Sequence, residues 1–131
     1  YTQNEWEIPK GRRENRENNR ECAIREVREE TNIKPEMYSL FSNITPINEE
    51  YTGINNVRYK HNYYIGKMDK MEEIYIDKEN KQQFTEVKDI RWFTKKECLE
   101  NIRDYDNRKK DIILSFFTIL ERIDACVTLE E

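Results

Sequence analysis

The stretch from Gly11 to Ile33 constrains this chain most, because a glycine loop is followed by three carboxylates at fixed helical offsets. Glu26, Glu29 and Glu30 stand at positions i, i+3 and i+4, which are neighbours on the surface of an α-helix. Like charges this close repel each other, so the cluster costs stability unless a cation lies between the carboxylates. Mg²⁺ prefers carboxylate oxygens and leaves room for substrate phosphates. The pattern therefore predicts a helix that binds a hard divalent cation.

The whole stretch resembles the Nudix box, the signature of the Nudix hydrolase family, with the spacing G-x5-E-x7-R-E-U-x-E-E-x-G-U, where U is aliphatic. The chain matches this spacing at eight positions: Gly11, Glu17, Arg25, Glu26, Val27, Glu29, Glu30 and Ile33. It departs from the pattern at Asn32, where the family usually has glycine. Asparagine tolerates a left-handed backbone, so a helix C-cap is still expected there. A solvated surface helix is the alternative, but a charge run alone does not reproduce these positions.

The resemblance implies an α/β (α+β) fold, the Nudix α/β/α sandwich, in which a mixed sheet lies between helices. The domain would be a single Nudix hydrolase domain over residues 1–131, with the box loop and helix at residues 11–33. Nudix domains normally have one or more strands before the box, and only eight residues, 1–8, are available for one here. We therefore expect an N-terminally truncated domain that lacks N-terminal strands.

Length, charge and cysteine content limit the possible classes of protein. A chain of 131 residues is long enough for one domain with a core but not for two. Its net charge of −4 argues against a non-specific nucleic-acid binder, although a local basic patch remains possible. Cys22, Cys98 and Cys126 are odd in number and widely spaced, which argues against a disulfide framework and a zinc site. A reduced, intracellular compartment is the simplest interpretation.

The sequence shows neither a membrane span nor a signal peptide. No apolar run approaches the roughly 20 residues that cross a bilayer, and the first residues lack the pattern of a secretory leader. We therefore expect a cytoplasmic protein, in the host cytoplasm if the chain is viral, with no membrane partner. No stable protein partner can be inferred.

Alternating and β-branched segments predict the strands. The predicted strands are residues 5–8, 38–45, 57–68 and 87–93. The segments 46–56 and 67–83 are predicted to be loops, because the first contains Gly53 and the second is rich in charged residues. His61, the only histidine, lies in the third of these strands and is interpreted as a strand residue with a hydrogen bond rather than as a catalytic group.

The box helix has clear end signals. Asn18 or Asn19 can cap it, and it is expected to end at about Thr31. By resemblance, Glu17 pairs with Arg25 and holds the loop against the helix, which is a structural role more than a chemical one.

Two further helices are predicted near the C-terminus. Thr94 caps a short helix through about Ile102, and Glu97 completes a capping box. A last helix begins at Tyr105 or Asp106 and runs to about residue 125. Its apolar residues recur at helical spacing and are interpreted as core: Ile112, Ile113, Phe116, Ile119, Leu120 and Ile123.

The sequence fits hydrolysis of a phosphoric anhydride, because it combines a carboxylate cluster with basic loop residues. It shows no arrangement typical of a nucleophilic serine or cysteine. Such an enzyme mainly neutralises charge, aligns a water and accepts its proton. By resemblance, Glu26 and Glu30 hold Mg²⁺ or Mn²⁺ and Glu29 assists. The resemblance also makes Glu29 or Glu30 the general base, and we favour Glu30.

A further metal ligand from outside the box often completes such a site. Glu86 is our candidate, because it lies six residues before Trp92 at the start of a predicted strand, as in several Nudix hydrolases. A surface glutamate in a charged loop is the equally weighted alternative. Glu79 is the next candidate.

Basic residues beside the box glycine are candidates for binding substrate phosphates. Residues 9–11 form a predicted turn, in which Gly11 is free to adopt a backbone that other residues avoid. Lys10 and Arg12 flank the turn that faces the carboxylate helix in this family, and we expect both to contact phosphates. For Arg16, ordinary solvation is as good an interpretation.

The finer resemblance is to the Nudix proteins of large DNA viruses, and it is carried by residues 6–12, 21–26, 63–65 and 90–92. Those of poxviruses, African swine fever virus and giant viruses remove mRNA caps, and the swine fever member also cleaves diphosphoinositol polyphosphates. The resemblance implies a nucleotide or capped-RNA substrate and release of m7GDP. Tyr51 and Tyr64 are possible base-stacking residues, but strand tyrosines more often pack.

Other activities stay open at this point. Hydrolysis of diphosphoinositol polyphosphates, dinucleoside polyphosphates or ADP-ribose is the enzymatic alternative. The non-enzymatic alternative is a Nudix-fold binding module that has lost catalysis. Such modules usually lose a box glutamate, whereas Glu26, Glu29 and Glu30 are all present here.

Overall fold

The computed structural model describes residues 5–130, with side chains described as far as residue 122. Its helices are α1 (Asn19–Thr31), α2 (Lys81–Glu86), α3 (Lys95–Asn101) and α4 (Asn107–Glu130), with a 3-10 turn at Pro35–Met37. Its strands are β1 (Tyr38–Leu40), β2 (Ile47–Thr52), β3 (Arg58–Tyr63) and β4 (Gly66–Met68). No helix of the described part is both long and apolar enough to cross a membrane.

The chain packs as two compact units. The unit that carries the acidic helix, called the box unit, consists of Glu7–Pro46 and Asn62–Trp92. The other, called the hairpin unit, consists of the described parts of Tyr1–Trp6, Ile47–His61 and Phe93–Glu131. The expected extent of a single domain over residues 1–131 stays a prediction.

Helix α1 of the box unit has the ends that its sequence predicts. The side chain of Asn18 accepts a hydrogen bond from the backbone of Glu21, and Glu21 reciprocates in a capping box. The residue that caps its C-terminus is Asn32, whose φ of 64° lies in the left-handed region. Asparagine therefore takes the backbone conformation for which glycine is usually needed.

The rest of the box unit contains the 3-10 turn, a short sheet and helix α2. Strands β1 and β4 pair antiparallel, with Tyr38 opposite Met68. Helix α2 begins after Asn80, whose side chain accepts from the backbone of Gln83. Buried apolar side chains of this unit are Cys22, Ile33 and Ile65.

The hairpin unit contains β2, most of β3, and helices α3 and α4. Thr94 and Glu97 form the predicted capping box at the start of α3, and Ile102 follows its last turn. In α4, the predicted apolar stripe is confirmed as far as it is described. Its buried or half-buried members are Ile112, Ile113, Phe116, Ile119 and Leu120, whereas Ile123 lies outside the described side chains.

Several strand predictions were wrong. Residues 5–8 and 87–93 form no strand, residues 38–45 keep only β1, and residues 57–68 divide into β3 and β4. The predicted loop at 46–56 contains β2. The alternation of apolar and polar residues in β2 is hidden, because Glu49 occupies one of its inward-facing positions. The carboxylate of Glu49 lies 2.8 Å from Nδ1 of His61. His61 is thus the hydrogen-bonded strand residue that its context predicted.

The predicted loop at residues 67–83 was also wrong in part, because it contains most of β4 and the first turn of α2. Glu86 is consequently the last residue of a helix and not the first residue of a strand. Sequence periodicity did not reveal α2, since its one buried residue is the polar Gln83.

Candidate active site

Arg25 ties the loop before α1 to the helix. Its guanidinium donates from Nε to Oε2 of Glu17 at 2.8 Å and from Nη2 to Oε1 of Glu17 at 3.0 Å. Nη2 also donates to the carbonyl of Arg12 at 2.9 Å. This bidentate ion pair lowers the pKa of Glu17 from 4.5 to about 2, mainly through the hydrogen bonds from Arg25. The structure therefore joins Glu17 and Arg25 as the family pattern implies.

The same guanidinium contacts two of the three box carboxylates. Nη1 of Arg25 lies 2.7 Å from Oε1 of Glu26 and 3.0 Å from Oε2 of Glu29. Glu30 is held differently, because its Oε2 accepts a hydrogen bond from the backbone N–H of Lys10 at 3.0 Å. The guanidinium of Arg25 thus partly neutralises Glu26 and Glu29, while the loop supplies a backbone N–H to Glu30.

Gly11 is required for space rather than for an unusual backbone. A Cβ atom at this position would overlap the carboxyl group of Glu26. No glycine in the described part of the chain has a positive φ. Gly11 therefore does not use the conformational freedom that glycine has. The glycine allows the loop to approach the acidic helix closely enough to enclose the Glu26 carboxylate.

Burial and mutual repulsion raise the pKa values of Glu30 and Glu26. The pKa of Glu30 rises from 4.5 to about 7, because burial outweighs the Lys10 hydrogen bond and Glu26, Glu86 and Glu29 add negative charge. The pKa of Glu26 is also raised, first by burial. A divalent cation among these oxygens would favour their charged forms. The donor set of hard carboxylate oxygens fits Mg²⁺ or Mn²⁺.

In this conformation, no group of three or more acidic, cysteine or histidine side chains among the described residues is arranged to hold an ion. The hydrogen bonds explain this arrangement, because Arg25 engages Glu26 and Glu29 while the loop engages Glu30. Binding of one ion by three or more of these carboxyl groups therefore requires a different arrangement of their side chains.

Glu86 lies at the end of helix α2 and not on the predicted strand, and it is close enough for its charge to act on the box carboxylates. Its negative charge raises the pKa of both Glu26 and Glu30. Glu79 instead lines a charged cleft of about 500 Å³ beside Glu29. The cleft is also lined by Arg25, Arg28, Asn32, Asp77 and Asn80. Glu86 is therefore the better placed of the two outside candidates.

Lys10 and Arg12, the residues predicted to contact substrate phosphates, lie beside the box carboxylates. The backbone of Lys10 bonds Glu30 and the carbonyl of Arg12 bonds Arg25, so both residues belong to the loop that faces α1. Their side chains are exposed, and the ammonium of Lys10 lies 3.9 Å from Glu7. Binding of phosphate by either side chain stays a prediction.

Tyr51, a proposed stacking residue, is already engaged in packing within the hairpin unit. Its ring stacks on Tyr59 with centroids 5.2 Å apart, and the guanidinium of Arg108 lies 3.9 Å from its centroid. Stacking of a base on Tyr51 would displace one of these neighbours. Tyr64 is half-buried in the box unit.

Sequence reasoning missed Asn80 and Gln83, two amides that contact the C-terminal turn of α1. Asn80 donates to the carbonyl of Glu29 and Gln83 donates to the carbonyl of Glu30. No spacing rule marks a pair of amides in a charged segment. The clue was Asn32, because an amide in place of the usual glycine can acquire polar partners.

Comparison with known proteins agrees with the geometry of α1 and its loop. The chain is 40% identical over 118 residues to a protein of Acanthamoeba polyphaga mimivirus named "Putative mRNA-decapping protein", covering 88% of this chain and 32% of the relative. It is 32% identical over 90 residues to mRNA-decapping protein g5R of African swine fever virus, covering 66% of this chain and 36% of the relative. The chain thus spans about a third of the length of these relatives.

The fold and the family are matched over most of the chain. A crystal structure of a C. elegans Ap4A hydrolase binary complex superposes with a TM-score of 0.67 at 21% identity, covering 92% of this chain and 81% of the other. This similarity confirms the expected α/β fold. The family model of the NUDIX domain matches residues 1–116. The chain therefore belongs to the Nudix domain family.

Proposed function

We propose that this chain is a Nudix pyrophosphohydrolase domain that cleaves a phosphoric anhydride in a nucleoside-diphosphate-linked substrate, and that its substrate is capped mRNA, from which it releases m7GDP. The observation that carries the proposal is the enclosure of Glu26 and Glu30 between α1 and the Gly11 loop. The names of the mimivirus and swine fever virus relatives support the choice of substrate.

Nudix hydrolases generally use divalent metals, and Mg²⁺ or Mn²⁺ is our choice for this chain. Glu26 and Glu30 would hold the cation, with Glu29 and Glu86 contributing. When bound, such a cation neutralises phosphate charge and acidifies water. The raised pKa values of Glu26 and Glu30 support this assignment, because burial first and neighbouring carboxylates second disfavour the charged forms, which a cation would favour.

The remaining roles fall to groups of the chain itself. Glu30 accepts the proton of the attacking water, and Glu29 is the alternative base. Arg25 fixes the loop through Glu17, which supports the positions of Lys10 and Arg12 for contact with substrate phosphates. Action on capped RNA would place the protein in the cytoplasm, where mature mRNA is found.

A panel of substrates tests the proposal. The full-length protein is incubated, with Mg²⁺ or Mn²⁺ and with excess EDTA, with cap-labelled RNA, ADP-ribose, a dinucleoside polyphosphate and a diphosphoinositol polyphosphate. We expect metal-dependent release of m7GDP from capped RNA. Preferential cleavage of another substrate would retain the enzyme and replace the cap. Metal-dependent cleavage of none would favour the binding module.

A further inference from the structure

Gln83 is a polar side chain with no exposed surface. Its Nε2 donates to the carbonyls of Glu30 at 3.0 Å and Tyr75 at 3.2 Å. Its Oε1 accepts from Nδ2 of Asn32 and from the backbone N–H of Asp77, each at 2.8 Å. All four hydrogen-bonding positions of the amide are therefore used. A buried amide this fully bonded fixes the relative position of every group that it contacts.

Asn80 extends these bonds to the rest of the α1 C-terminus. Its Nδ2 donates to Oδ1 of Asn32 at 2.6 Å and to the carbonyl of Glu29 at 3.2 Å. Its Oδ1 caps α2 by accepting from the backbone of Gln83 at 3.2 Å. We call Asn32, Asn80 and Gln83 the amide network. It contacts three backbone carbonyls, and two of them belong to Glu29 and Glu30, whose side chains lie on the acidic face of α1.

Helix α2 depends on this network because it has little else to hold it. It contains six residues, which is too short to be stable alone. Its one buried residue is Gln83, and its apolar residue Phe84 is 55% exposed. Polar bonds to α1, rather than an apolar face, therefore fix the helix. Glu86 lies three residues after Gln83, on the neighbouring turn of the same helix.

We propose that Asn32, Asn80 and Gln83 are positioning residues that hold α2 against the C-terminal turn of α1 and so place Glu86 beside Glu26 and Glu30. The proposal rests on the proposed function, in which these carboxylates bind a divalent cation. It also gives a reason for asparagine at position 32, since glycine there would adopt the same backbone but would lack the amide that joins Asn80 to Gln83.

The first test measures binding of Mn²⁺ to the full-length protein without substrate. Gln83→Met keeps the length of the side chain but removes its hydrogen bonds. We expect the Kd for Mn²⁺ to rise about tenfold or more, as for other residues that orient metal ligands. Gln82→Met is the matched control, because Gln82 is exposed on the same helix, and its Kd should equal that of the parent protein. Equal Kd values for both variants would overturn the proposal.

A double-mutant cycle separates positioning of Glu86 from general destabilisation. If the network acts through Glu86, Glu86→Gln raises the Kd for Mn²⁺, and Gln83→Met has little further effect in that background. The same fold-change in both backgrounds would show a role that does not pass through Glu86. An unchanged Kd in Glu86→Gln alone would also contradict the proposal.

Two milder variants serve if Gln83→Met does not fold. Asn80→Ser keeps a capping oxygen but removes the amide donor, and Asn32→Gly keeps the left-handed backbone but removes the side chain. Each should raise the Kd for Mn²⁺ by less than Gln83→Met, and only while Glu86 is present. If the parent protein neither binds Mn²⁺ nor cleaves any substrate, the proposed function fails; if it binds Mn²⁺ and all network variants bind it equally, only this inference fails.

Discussion

At the scale of single residues, Gly11 and Arg25 decide where the acidic side chains lie. Gly11 leaves room for the carboxyl group of Glu26, and Arg25 bonds Glu17, Glu26 and Glu29 with one guanidinium. Both are fixed positions of the family pattern, so sequence was enough to single them out. The reason for the glycine is visible only in the structure, because sequence spacing does not show whether a glycine avoids a steric clash or adopts a strained backbone.

Gly11→Ala tests the crowding directly. The added methyl group must displace the Glu26 carboxyl, and a shift of about 1 Å in a catalytic group costs roughly 100-fold in rate. We expect kcat to fall by about that factor while the far-UV circular dichroism is retained. Gly66→Ala is the control, because its Cβ would press on Leu40 and Ser39 in the β1–β4 sheet. That control should lower thermal stability and spare kcat; a fully active Gly11→Ala would refute the steric role.

The Glu17–Arg25 pair predicts a pH-dependent contribution to stability. The pKa of Glu17 is lowered from 4.5 to about 2 in the folded state, so the unfolded state binds more protons between these values. The stabilisation is therefore complete above about pH 5 and is lost as the pH falls towards 2. Glu17→Gln should lower the free energy of unfolding at pH 7, and the difference from the parent protein should shrink on acidification.

Urea denaturation from pH 7 down to the lowest pH at which the parent protein still folds measures this difference. Glu36→Gln is the control, because Glu36 is exposed in the 3-10 turn. Its free energy of unfolding should stay close to that of the parent protein throughout. A Glu17→Gln difference that does not change with pH would mean that the ion pair does not stabilise the fold.

At the scale of elements, helices with caps and apolar stripes were predictable, whereas the strands were predicted only in part. Helices α1 and α3 begin at capping boxes formed by the side chains of Asn18 and Thr94, and such boxes can be recognised in the sequence. Strand β2 pairs with the next strand, β3, but it has Glu49 on its inner side, so its alternation of polar and apolar residues is masked. Helix α2 is held by Gln83 rather than by apolar residues, and hydrophobic periodicity cannot reveal that.

The cap of α1 gives a prediction at this scale. Sequence left Asn18 and Asn19 as alternatives, and the structure assigns the cap to Asn18. Asn18→Ala should lower the free energy of unfolding by about 1 kcal/mol, because a backbone N–H of the first turn loses its acceptor. Asn19→Ala, one residue on, should change it by less than half as much in the same urea titration. Equal losses would show that the cap is not at Asn18.

At the scale of the whole molecule, the chain is acidic while the proposed substrate is a polyanion. The net charge of −4 provides no general attraction for RNA, so recognition of phosphates must be local. The family match covers residues 1–116, but the chain spans about a third of its viral relatives. The proposed activity therefore depends on the acidic residues of α1 and on the loop that contains Gly11.

Local recognition predicts that Lys10→Ala and Arg12→Ala raise the KM for capped RNA. We expect about tenfold for the double variant with kcat changed little, since the lost contacts are made in both the ground state and the transition state. The salt dependence of kcat/KM should also become weaker. Lys34→Ala is the matched control, because Lys34 is exposed in the same unit but lies after α1. An unchanged KM in the double variant would remove both residues from the phosphate site.

The most direct test of the central claim is the rate of m7GDP release from cap-labelled RNA by Glu30→Gln with Mg²⁺ or Mn²⁺. Glu36→Gln, an exposed glutamate outside the cluster, is the matched control. If Glu30 belongs to the metal site and accepts the proton of the attacking water, kcat falls by about 100-fold to 10,000-fold in Glu30→Gln and not in the control. Equal rates in the parent protein and in Glu30→Gln would contradict the assignment of catalysis to the acidic face of α1.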